Sequence, residues 1–65
     1  MKKTLDEQIA SVQREIVMRN RVYKRWVADG RMTQDQASHE IACMEEVLRT
    51  LGEIRRKHDS VGYIE

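Results

Sequence analysis

Leu5, Ile9, Val12, Ile16, Arg19, Tyr23 and Trp26 follow one another at alternating spacings of four and three residues. After a break, Ala37, Ile41, Met44, Leu48 and Leu51 repeat the pattern. Such a spacing keeps one seam of an α-helix turned toward a neighbouring helix, as in coiled coils. Two seams separated by one break predict two helices packed on each other. The break carries its own signals. Asp29-Gly30 closes the first helix, with the glycine where a left-handed residue is needed. Thr33-Gln34-Asp35-Gln36 opens the second as a capping box, and Met32 and Ala37 flank it as a hydrophobic staple would. Thr4 with Glu7 forms the equivalent start of the first helix. The expected layout is a helix over 5–28, a turn over 29–33 and a helix over 34–57, together a hairpin over 1–58, followed by a tail over 59–65. Helices of equal length with so short a connection pack antiparallel. Past Lys57 the pattern stops, and "HDSVGYIE" reads as a frayed tail whose Val61, Tyr63 and Ile64 are able to fold back on a core.

A hairpin of this size hides one stripe per helix. Projection at about 100° per residue places Cys43, Val47 and Ile54 beside the second seam, widening its apolar arc beyond what the first helix covers. The chain has 65 residues, and domains so short need a staple. Its single cysteine, Cys43, excludes an internal disulfide, and His39 and His58 lack metal-ligand spacing. No cofactor or metal is therefore expected, and association is the remaining remedy. The expected assembly is an all-α homodimeric four-helix bundle. The absence of proline and a charged fraction of 35% suit long helices. No apolar run reaches the length of a membrane span and none follows Met1 as a signal peptide, so a cytoplasmic protein with a reduced thiol is expected.

Charge is balanced overall, at +1, but divided along the chain. Residues 1–31 hold eight Lys/Arg against four Asp/Glu, whereas residues 32–54 hold one against five. Arg14, Arg21, Lys24 and Arg25 fall on the side of the first helix opposite its seam and form a candidate partner-binding face. They suit an acidic protein surface or phosphate; the bland alternative is a solvated back. Tyr23 and Trp26 lie on the seam, where packing is expected rather than base stacking. Opposite the small Ala37, Trp26 reads as a core residue whose truncation would largely unfold the chain. Arg19 occupies a seam position, and Glu40 or Glu45 across the hairpin would pair with it as a structural ion pair. Catalytic chemistry is weakly supported. Glu45 and Glu46 diverge by about 100° on a helix. Cys43 has His39 one turn before it, a placement able to lower a thiol pKa, but with no pocket to shelter a reaction.

The segment Ile9 to Leu48, "IASVQREIVMRNRVYKRWVADGRMTQDQASHEIACMEEVL", resembles a group of small proteins of bacteriophages and proteobacterial prophages. In that group a basic helix ends in R-V-Y-x-R-x-V, matched here by Arg21, Val22, Tyr23, Arg25 and Val27. A G-R-M-T turn follows, matched by Gly30 to Thr33, and then E-I-A-x-M-E, matched by Glu40, Ile41, Ala42, Met44 and Glu45. The resemblance carries no activity over to this chain. In size and layout the chain is also similar to phage-encoded helical-hairpin inhibitors of host regulators, such as quorum-sensing anti-activators. Together these imply a non-enzymatic module that pairs with itself and binds a host protein. A nucleic-acid-binding accessory protein using the basic face is the alternative.

Overall fold

The computed structural model describes residues 3–64 of the chain, with side chains placed through His58. It is all-helical among the described residues: α1 spans Leu5–Ala28 and α2 spans Gln34–Ile64. Both helices begin with reciprocal caps. The Thr4 amide donates to Glu7 Oε1 at 2.9 Å while the Glu7 amide donates to Thr4 Oγ1 at 3.1 Å. At α2 the Thr33 amide donates to Gln36 Oε1 and the Gln36 amide to Thr33 Oγ1, each at 3.0 Å. Each box satisfies donors that a helix start leaves without intrahelical partners.

The end of α1 is a Schellman turn. The Arg31 amide reaches back to the Trp26 carbonyl at 2.9 Å and the Gly30 amide to the Val27 carbonyl at 3.1 Å. This pairing requires a left-handed residue between them, and Gly30 supplies it at φ +77°. Gly52 lies inside α2 instead, with open space where a Cβ would stand. The same substitution should therefore act in opposite directions at the two sites. Gly30→Ala is expected to lose about 1 kcal/mol, because a left-handed alanine costs ~1–2 kcal/mol and recovers part of this by restricting the unfolded chain. Gly52→Ala is expected to gain about 1 kcal/mol of helix propensity. Urea titrations of both variants check the signs.

The helices meet along the two seams. Leu5, Ile9, Val12, Ile16, Arg19 and Tyr23 of α1 face Ile41, Met44, Leu48 and Leu51 of α2, all half-buried, and Ala37 beside the turn is the one buried residue among those described. At the open end of the hairpin Arg55 Nε lies 3.1 Å from Asp6 Oδ1 and joins α2 to α1. This exposed pair contributes little energy, but it fixes the alignment: an antiparallel hairpin whose register matches, within one residue, the one the turn dictates.

Two features depart from the sequence reading. The periodic pattern stops at Lys57, yet the backbone stays helical to Ile64. Loss of the apolar stripe ends packing, not helix. No proline interrupts residues 58–64, and each further residue adds one backbone bond to an existing helix. The side chains of Val61, Tyr63 and Ile64 lie outside the described residues. The second departure is Trp26, which remains 38% exposed while its neighbour Val27 is half-buried. A straight helix drifts by about 20° per heptad against a strict seven-residue repeat, and by the last turn of α1 this drift has moved position 26 out of the seam and position 27 toward it.

Candidate interaction surfaces

The hairpin has two open sides and two backs, and the surface residues sort among them by projection. One side is polar: Asn20, Lys24, Gln34, Ser38 and Glu45 border a shallow groove floored by Tyr23, Val27, Ala37 and Ile41. The other side is apolar. From α2 it presents Cys43, Val47 and Ile54; from α1 it presents Met18, Val22 and Trp26. A groove lined by Lys3 and by Glu7, Gln8, Ala10, Ser11, Val12 and Arg14 of α1, with Val47 and Leu51 of α2 as its apolar wall, runs along this flank. Val47 is 45%, Ile54 39% and Met18 50% exposed, and Cys43 is exposed as well. Val47 and Ile54 were legible in the sequence as surplus apolar positions. Met18 was not, because a single methionine off the seam carries no periodic signal; it comes into view only when the antiparallel register sets it on the same side as Cys43.

The back of α1 carries the basic residues. Arg14, Arg21, Lys24 and Arg25 are exposed. Arg14 donates only to Ser11 Oγ, at 3.2 Å, and none of the four pairs with a carboxylate among the described residues. Val17, 60% exposed, stands between Arg14 and Arg21. Replacing Arg14, Arg21 and Arg25 together by glutamine is expected to leave helicity unchanged and to shift stability by no more than about 0.5 kcal/mol per site. Removal of the like-charge Arg21–Arg25 repulsion, i to i+4, acts in the stabilising direction. Thermal melts monitored by circular dichroism check this, and a large loss would mean that the face is covered.

The expected cross-hairpin pair is corrected. Arg19 Nε donates to Glu15 Oε1 at 3.0 Å, one turn back on its own helix, rather than to Glu40 or Glu45. An i,i+4 partner is already in place once the helix forms, whereas Glu40 and Glu45 are exposed on α2 and would have to be drawn across the seam. The hydrogen bond that Arg19 donates to Glu15 raises the Arg19 pKa above its ordinary value, so the guanidinium stays cationic. Glu15 was readable as the Glu of an E-x-x-x-R pair. Arg49 is held likewise by Glu46 through a two-pronged contact that raises its pKa. Glu40 is left without a cation among the described residues and stands at the edge of the apolar flank.

Cys43 Sγ lies 3.5 Å from His39 Nε2, both exposed. The contact has no third group to orient it. Among the described residues no group of three or more His, Cys, Asp or Glu is placed to hold a metal ion, and no helix is long and apolar enough to cross a membrane. No family model matches the sequence, and neither a curated protein nor a solved structure is significantly similar to it.

Proposed function

We propose that this chain is a non-enzymatic protein-interaction module that associates with itself, as a homodimeric four-helix bundle, and binds a host protein such as a transcription regulator. The observation that carries this reading is the imbalance between core and surface. Ala37 alone is buried among the described residues, while Val47, Ile54, Met18 and Trp26 share one exposed flank. The accessible surface is 5607 Å² for a chain of 7.7 kDa. A compact monomer of that mass exposes about 4,300 Å². The radius of gyration, 15.5 Å, likewise exceeds the roughly 11 Å of a compact chain of this length. A lone hairpin this open is poorly stabilised, and an apolar flank along a surface groove favours a protein partner. Phage or prophage origin and action in the host cytoplasm follow from the resemblance of Ile9 to Leu48 to the phage group.

The test has two parts. Sedimentation at micromolar concentration should give twice the chain mass. Tagged protein in host lysate should then retain a specific partner in high salt, and lose it when the apolar flank is disrupted. A stable monomer with no salt-resistant partner would refute the reading.

The four cations on the back of α1, which pair with no carboxylate among the described residues, favour one second reading, a nucleic-acid-binding accessory protein. Phosphate contacts release counterions, so such binding would weaken steeply with added salt, by close to one power of salt concentration per phosphate contacted. An apolar interface would not respond in that way. Titration of duplex and single-stranded DNA at two salt concentrations separates the readings.

A further inference from the structure

The self-association proposed above leaves open how two hairpins stack, and the divided charge selects one arrangement. If the apolar flanks meet face to face, a two-fold axis lying between them has two principal orientations. An axis across the helices lays α1 on the partner's α1 and α2 on the partner's α2. An axis parallel to the helices lays α1 of each copy on α2 of the other, antiparallel to it. In the first case residues 1–31, with eight Lys/Arg and four Asp/Glu, oppose their own copy, and residues 32–54, with one and five, oppose theirs. Like net charges meet over those two stretches, although Arg55, Arg56 and Lys57 at the far end of α2 fall opposite the partner's Asp35–Glu40 region. Moreover, an α2-on-α2 contact centred on Val47 sets Glu40 against the partner's Ile54, covering a carboxylate with a hydrocarbon. In the second case the basic stretch 1–31 lies on the acidic stretch 32–54 twice over, and Arg55 to Lys57 come level with the Asp6–Glu7 end of the partner's α1.

We propose that the chain pairs with a second copy through its Met18–Cys43–Val47 flank, with the two-fold axis parallel to the helices and each α1 seated on the partner's α2. The internal register supports the detail. Asp6 lies beside Arg55, which puts Met18 level with Cys43 on the same hairpin. An axis parallel to the helices preserves levels, so Met18 of one copy comes beside Cys43 of the other, in the outer groove between α1 and the partner's α2. Glu40, without a cation in its own chain among the described residues, comes level with the partner's Arg21 and one turn from the partner's Arg25. Val47 then points at the partner's Ser11 and Met18, and the aliphatic part of the Glu15–Arg19 pair closes the seam.

Cross-linking of mixed single-cysteine chains tests this arrangement. One chain carries Met18→Cys with Cys43→Ser; the other is the native sequence with Cys43. Each is oxidised with copper–phenanthroline alone and after mixing. Disulfides demand Cβ atoms about 4 Å apart, so in the proposed dimer the mixed pair should cross-link at least ~10-fold faster than either chain with itself. Light scattering on the same samples, before oxidation, reports whether a dimer exists. Dimers in which self-linked Cys43 or self-linked Met18→Cys predominates would overturn this stacking while leaving self-association intact. A monomer by scattering, with no cross-link, would overturn both.

Discussion

Replacing Val47 and Ile54 together by glutamate is expected to turn the proposed dimer into monomers at concentrations where the proposal has the native chain fully paired. Both residues are largely exposed in the single hairpin, at 45% and 39%, so the substitutions remove little from the seam within one copy, and glutamate is a good helix former. What they remove lies in the proposed contact between copies. Covering the exposed part of each side chain contributes on the order of 1 kcal/mol, and placing two carboxylates in the same patch adds an unpaired charge to its cost. A loss of about 3 kcal/mol or more corresponds to a dissociation constant weakened at least ~100-fold. Because folding and pairing are linked, the native protein should melt at a higher temperature as its concentration rises, and the double variant should not. Helicity of the variant should also fall, since a two-helix hairpin with one buried residue among those described has little margin of its own. A double variant that remains dimeric, with the same concentration-dependent melting, would place the interface elsewhere.

The fold was written in the sequence mainly at its punctuation. Thr4 with Glu7, Asp29-Gly30 and Thr33 with Gln36 are local devices whose geometry is set within a few residues, and each forms as its residue types dictate. The seams were legible for the same reason, since heptad spacing encodes a direction. What escaped depended on competition or on distance. Arg19 had two prospective partners across the hairpin and one beside it, and the pattern alone gave no weight to the entropy that favours Glu15. The helical backbone of α2 outruns its amphipathic pattern because loss of that pattern marks the end of packing, whereas a proline or a cap marks the end of a helix. Asp6 and Arg55 are separated by most of the chain, and their meeting follows only once the hairpin register is fixed. Met18 belongs to the same class. The candidate surface is thus only half visible in sequence: its α2 half as surplus apolar residues, its α1 half only after folding aligns the two helices.

Trp26→Ala is expected to lower stability by about 2 kcal/mol, rather than the ~3–5 kcal/mol that truncation of a fully buried indole costs. The indole is 38% exposed, so a single hairpin has already withdrawn only part of its surface from water. Its main partner within the helix is Tyr23, with ring centroids 5.8 Å apart and planes inclined at 35°. A tilted pair of this kind adds up to roughly 1 kcal/mol beyond the area it covers. In a domain this small a 2 kcal/mol loss lowers the melting temperature by about 10 °C, so the variant should be helical when cold and melt early. Trp26 also lies on the apolar flank, and the emission of the native protein, which has this one tryptophan, should shift to shorter wavelength as concentration rises and the proposed dimer forms. A base-stacking role makes the opposite forecast. Removal of the ring would then leave melting unchanged and weaken single-stranded DNA binding by ~1–3 kcal/mol. The geometry opposes it: Arg21 and Trp26 are directed about 140° apart around the helix axis, so a strand that follows the arginines does not pass over the indole. Circular dichroism melts of the variant, with a DNA titration beside them, decide the matter. An unchanged melt together with lost DNA binding would transfer the function of α1 from protein to nucleic acid.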